Sequence, residues 1–226
     1  MIFKHLIITL DHKDFSKEER YPHFLSSRFI LSFLEREVLK KLKLNRAFSM
    51  LYICLINETN KSELKEIYLG EKSLRHNIYN PDYLKYSKLN GIEKVEYYIT
   101  ILLNSINTLK DKYDLPLSEI KEGIQKFRNL GYRNEWVHKK KLYRPLSITF
   151  FLECEMTMEE FNLYLTLRKK KETLLKKCIL TTDPDEIAFH YKFKDIVFEN
   201  NKVTIKGLQG YTLFESAIDE LLSGIK

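Results

Sequence analysis

Glycine, proline and cysteine are all scarce in this chain, at 7, 5 and 3 of 226 residues. So few Gly and Pro exclude long flexible or proline-rich linkers. The three cysteines, Cys54, Cys154 and Cys178, are odd in number and far apart. That excludes a disulfide framework and the close Cys/His pairing of a zinc site. Each lies in an apolar, strand-like segment, so all three read as buried structural thiols in a reducing cytosol. No run approaches the roughly 18 apolar residues of a membrane span. The first residues, MIFKHLIITLDHKDF, are interrupted by Lys4 and His5 and lack the long apolar region and small-residue cleavage site of a secretory leader. The chain is therefore expected in the cytoplasm, with no membrane partner. Catalytic signatures are missing too: there is no GxSxG, no phosphate-cradling Gly-rich loop and no HExxH. No cofactor and no metal are expected.

What is abundant is bulky apolar material. Hydrophobic residues make up 44%, with 14 Phe and 14 Tyr, enough to build a core and exclude disorder. The length fits one domain, 1–226, with a weak subdivision near Pro145. The net charge of +7 steers acidic partners toward the chain, whether nucleic acid, an anionic surface or an acidic protein. The abundance of Lys, Ile, Asn and Tyr also fits AT-rich coding.

Residues 2–10 read as a strand. After a polar loop holding Pro22, Phe29, Ile30, Phe33, Leu34, Val38, Leu39 and Leu42 step by three and four, predicting a helix from Ser26 or Ser27 to near Lys43. Residues 47–56 read as a central strand, and 57–90 as a long loop with a short helix around 61–69. Sustained apolar stripes predict helices over 92–113 and 118–130. Ser118 is the expected N-cap of the second, and Gly131 its left-handed terminus. Residues 133–144 read as a basic loop and 146–156 as a strand. Thr157 and Glu160 form a capping box that predicts a helix through Lys170. Residues 174–181 read as a strand. Residues 189–198 and 202–206 flank Asn200-Asn201 as a hairpin. Phe214, Ala217, Ile218, Leu221 and Leu222 predict a C-terminal helix. The fold class is α+β, with a mixed or antiparallel sheet packed against amphipathic helices.

One string has a catalytic reading: Tyr132-Arg133-Asn134-Glu135-Trp136-Val137-His138 contains Arg-Asn-x-x-x-His after two helices. It resembles the signature of HEPN-type ribonucleases, in which an Arg, a polar residue and a His share a helix face. The resemblance implies that Arg133 binds the scissile phosphate and that His138 assists proton transfer from the ribose 2′-hydroxyl. Trp136 is read either as a core corner or as a partner-facing anchor. Two basic runs accompany it. Lys139, Lys140, Lys141 and Arg144, beside Tyr143, would hold an RNA backbone or an acidic surface. Arg168, Lys169, Lys170 and Lys171 are read either as a second such patch or as the cationic end of a helix. His5, Asp11 and His12 have no metal spacing, and Asp183-Pro184-Asp185 reads as turn chemistry.

Residues 146–206, from the Thr157–Tyr164 segment through LLKKCILTTDPDEIAFHYKFKDIVFENNKVTIKG, resemble bacterial polymorphic-toxin immunity proteins in their Lys-, Phe- and Asn-rich style. That implies a non-enzymatic cytosolic protein that neutralises a cognate toxin by direct binding. A basic chain suits a toxin or other protein partner with an acidic surface. RNA binding or cleavage through Arg133 and His138 is the alternative.

Overall fold

The computed structural model describes residues 1–42, 44–58, 60, 66–69, 72–79 and 83–223. The fold is α+β, and the chain forms two compact units, Met1–Asn134 and Glu135–Lys226. Pro145 lies inside the second unit. Among the described residues, no helix is long and apolar enough to cross a membrane.

Unit 1 begins with β1 (His5–Leu10) and α1 (Lys17–Leu34). The helix continues through a π-helical stretch, Glu35–Leu39, into α2 (Lys40–Leu42). It starts earlier than the apolar stripe predicts. Ser16 accepts from the Glu19 N–H at 3.3 Å while Glu19 caps the Ser16 N–H at 2.9 Å. This capping box carries the chain through Pro22, which sits inside the helix rather than in a loop. The expected end at Lys43 falls outside the described residues.

β2 (Met50–Ile56), β3 (Glu66–Leu69) and β4 (Ser73–Tyr79) follow. The predicted helix around 61–69 is therefore overturned over Glu66–Leu69, which form a strand; residues 61–65 lie outside the described ones. The sheet order is β1-β2-β4-β3, with β1, β2 and β4 parallel and β3 antiparallel at the edge. Register aligns Leu6, Ile8 and Leu10 with Leu51, Ile53 and Leu55, and these with Leu74, His76 and Ile78. All but Ile78 are buried.

The short α3 (Tyr83–Tyr86) precedes α4 (Gly91–Tyr113) and α5 (Leu117–Asn129). Pro116, not Ser118, is the N-cap of α5. The apolar stripe of α4 buries Val95, Tyr98, Leu102, Ile106 and Leu109. α5 approaches α1 and its π-helical extension closely: a Cβ on Gly123 would sit 2.5 Å from Val38 Cγ2. Gly131 adopts φ 65° after the helix, the left-handed conformation that glycine takes without steric cost.

Unit 2 is built on a four-stranded sheet, ordered β5-β6-β7-β8, of β5 (Asn134–Tyr143), β6 (Ile148–Met156), β7 (Phe161–Lys169) and β8 (Glu172–Thr182). Two readings fail here. The basic stretch is a strand, not a loop, and the helix predicted from Thr157 is β7. Thr157 Oγ1 does accept the N–H groups of Glu159 and Glu160, at 3.2 and 3.0 Å, but these bonds close the β6–β7 turn. Phe161, Leu163, Leu165 and Leu167 alternate into the core opposite Met156, Cys154, Leu152 and Phe150.

α6 (Glu186–Phe189) leads to β9 (Asp195–Glu199), β10 (Lys202–Lys206), β11 (Thr212–Ala217) and α7 (Ile218–Ser223). The β9–β10 hairpin turns on Asn200 and Asn201 at φ 49° and 58°. Residues 189–194 precede the strand, and Phe214 and Ala217 lie in β11 rather than in the terminal helix. Phe161 and Phe189 stack with centroids 3.7 Å apart, and Phe193 lies parallel to both. Cys54 and Cys154 are buried, whereas Cys178 on β8 is exposed, correcting the reading of three buried thiols.

Candidate protein-binding surface

The hairpin order of unit 2 gathers residues that are distant in the sequence. β5 ends at Tyr143 and β6 begins at Ile148, across a 3-10 turn, Arg144–Leu146. Thr149 at the start of β6 pairs with Arg168 at the end of β7, and Lys169 pairs with Glu172 at the start of β8. Both turns therefore lie at the same end of the sheet. Arg144 from one and Lys169, Lys170 and Lys171 from the other are all exposed there. The second run is a hairpin turn, with Lys170 at φ 54°, rather than the last turn of a helix. Tyr143 is at the same end, where its hydroxyl donates to Asn201 Oδ1 at 3.1 Å.

The basic residues separate into two groups. Lys139 pairs with Asp195 at 3.4 Å. Lys141 Nζ donates to the Ile196 carbonyl at 2.7 Å and lies over the Phe198 ring. Arg168 bonds Glu153 at 2.5 Å and covers Phe151. These three stabilise unit 2 itself. Burial alone would raise the Asp195 carboxyl, but the Ile196 N–H and the Lys139 ammonium outweigh it and hold it below its ordinary range. Lys140, Arg144, Lys169, Lys170 and Lys171, by contrast, make no ion pair among the described residues. Glu172 is the one acid at the tip of the β7–β8 hairpin.

Trp136 is half-buried, its ring 5.9 Å from that of the fully buried Phe161. It sits at the edge of the core and lines a shallow cavity with Glu153, Tyr164 and Lys176. His138 is exposed, edge-on to Phe193 at 4.9 Å. The helix face that the ribonuclease resemblance requires is absent, because Asn134–Tyr143 is a strand. Arg133 Nε donates to the Leu130 carbonyl at 3.2 Å. Asn134, the polar residue of the string, is buried and donates to the Phe29 carbonyl and Ser32 Oγ at 2.7 and 2.9 Å, while Arg36 donates to its Oδ1 at 2.8 Å. It anchors unit 1 rather than addressing a ligand.

Comparison with protein-family models, curated proteins and solved structures gives no match.

One constellation in unit 1 escapes a linear reading. At the C-terminal ends of the parallel strands, buried Asp11 accepts the Lys13 N–H at 2.7 Å and is paired with Arg75, whose Nε donates to Asn77 at 2.6 Å. Cys54 Sγ lies 3.7 Å from the same carboxylate. Burial pushes the Cys54 thiol up to about 12, which disfavours the thiolate that nucleophilic chemistry needs. Parallel sheets commonly bind ligands at this end, but here the carboxylate is already met by a guanidinium and a backbone N–H. No group of three or more His, Cys, Asp or Glu suited to a metal ion occurs among the described residues. His5 instead lies 3.6 Å from Glu35, and Asp185 caps α6 through the Ile187 N–H at 3.1 Å.

Proposed function

We propose that the chain is a non-enzymatic binding protein that engages an acidic protein surface through the cationic end of the unit 2 sheet. In this reading it acts in the cytoplasm as an immunity-type inhibitor, blocking a toxin by direct contact. The supporting observation is the placement of Arg144 and Lys169–Lys171 at one sheet end with no internal ion pair among the described residues. Four exposed cations at one end of a sheet repel one another, and an acidic partner relieves that repulsion while steering its own approach. Turns fixed by short hairpins present them with little loss of backbone freedom on binding.

The test is recovery of the tagged protein from its own cells, with bound protein and RNA both identified. We expect one stoichiometric protein partner with an acidic face, toxic when expressed alone and harmless when co-expressed. Combining Arg144→Glu, Lys169→Glu and Lys171→Glu should weaken that complex by at least about tenfold, and raising the salt should do the same to the unaltered protein. Recovery of RNA without a protein partner, or an unchanged affinity in the triple variant, overturns the reading.

A further inference from the structure

A cavity of about 680 Å³ lies between β4 and α4 of unit 1, within the ~300–1,000 Å³ typical of small-molecule sites. Its lining mixes apolar and aromatic residues, including Ile78, Tyr79, Tyr97 and Ile101, with polar ones, including Thr100, Asn104 and Thr108. Two of the polar residues, His76 and Ser105, are buried. His76 stands in the row where β1 and β2 place Ile8 and Ile53. Ser105 stands in the buried stripe of α4, between Leu102 and Leu109. Each breaks the aliphatic pattern of its own element, and both breaks face the same cavity.

Ser105 carries the case. It is 1% exposed, and its hydroxyl has no hydrogen-bond partner among the described residues. Serine and threonine in helices ordinarily donate back to the preceding turn, and two neighbours do: Thr100 to the Glu96 carbonyl at 2.9 Å and Thr108 to the Asn104 carbonyl at 3.0 Å. Ser105 does not. A buried hydroxyl left without a partner is costly, so such positions call for a bound group that completes the bond.

The chemistry of that group follows from the rest of the lining. Tyrosine rings favour a flat aromatic ligand. A hydroxyl, able both to donate and to accept, suits the edge atoms of a heterocycle. Lys85, Glu93 and Glu96 also line it, and Glu96 is paired with Arg128 at 2.6 Å. These charges leave no positive excess, which disfavours a phosphate. We propose that this cavity binds an uncharged heteroaromatic molecule of nucleobase or nucleoside size, with Ser105 bonding the ring edge. This site is independent of the cationic sheet end in unit 2.

The probes are adenosine, guanosine, cytidine and uridine, each added to the full chain and followed by ligand-observed NMR and thermal melting. At least one should raise the melting midpoint by about 4 °C at tenfold excess over its dissociation constant. Its 5′-monophosphate should bind more weakly than the nucleoside. Ser105→Leu, which removes the hydroxyl and narrows the cavity, should abolish the shift while the free chain still unfolds in one cooperative transition. Ser105→Ala, which removes only the hydroxyl, should weaken binding about tenfold. Saturation transfer to none of the four at millimolar concentration overturns the proposal, as does tighter binding of a monophosphate or an undiminished shift in both variants.

Discussion

Unit 1 has the surplus of charge and unit 2 has the segregation of it. The first carries 23 Lys and Arg against 17 Asp and Glu, the second 15 against 14. Yet several cations of unit 1 are held in internal pairs. Arg28 pairs with Glu35 at 2.9 Å, Arg128 with Glu96 at 2.6 Å, Lys126 with Glu37 at 2.7 Å, and Arg75 with Asp11. Nearly neutral unit 2 leaves four cations unpaired at one end of its sheet, while Glu153 and Asp195 pair elsewhere with Arg168 and Lys139. Net charge is thus a poor guide to where an acidic partner would dock. Which cations are already occupied within the fold is the better one.

The largest expected effect breaks a unit 1 pair. Arg28 and Glu35 are 7% and 13% exposed in their side chains. Glu35 also accepts the Leu6 N–H at 2.8 Å, while Arg28 donates to the Leu6 carbonyl at 2.8 Å. Burial by itself would raise the Glu35 carboxyl; Arg28 and the other donors around it hold it below the ordinary range. Arg28→Met strands that carboxylate and should cost about 3 kcal/mol in denaturant unfolding. A loss below ~1 kcal/mol would mean that the pair is not structural.

An acid effect of comparable size belongs to the same unit. His23 lies among Tyr86, Tyr97 and Tyr98, with ring centroids 4.9, 6.0 and 5.0 Å away. Burial brings its imidazole down to about 3 from 6.5. Between those values the unfolded chain takes up a proton that the folded chain refuses. Stability is therefore full above pH 6.5 and falls as the pH drops toward 3, by up to about 1.4 kcal/mol per pH unit. His23→Phe should flatten that slope in unfolding curves recorded from pH 7 to 4.

The smallest effect belongs to unit 2. Lys140→Ala and Lys171→Ala should each change stability by less than about 0.5 kcal/mol. If either costs appreciably more, that residue has a structural partner, and the contrast between the units narrows.

How legible this was depended on the kind of pattern. The long stripes of α4 and α5, the alternation of β6 and the Asn200-Asn201 turn are local signals, and they read correctly. The capping box misled at Thr157 because its two N–H bonds form equally well at a β-turn. The period-two spacing of Phe161, Leu163, Leu165 and Leu167 was the overruling signal. The identical motif at Ser16 and Glu19 went unread because Pro22 looked like a loop. β5 was hidden by its run of lysines, whose strand character depends on a partner strand that composition does not reveal. The cationic residues themselves were visible in the sequence. Their division into paired and unpaired was not, because Asp195, Ile196 and Glu153 are distant in the chain. The Arg133–His138 string was equally visible, but its residues turned out to be placed by a strand and by the buried Asn134.

The strand pairings also set an order of assembly. Met156 meets Phe161 across one tight turn, whereas His5 must find Met50 beyond a whole helix. Closing short loops precedes closing long ones, and parallel pairings with intervening crossovers are slow. The β6–β7 amides should therefore become protected in pulsed hydrogen exchange before those of β1 and β2. Although unit 1 leaves the ribosome first, it is unit 2 that is built to finish folding first.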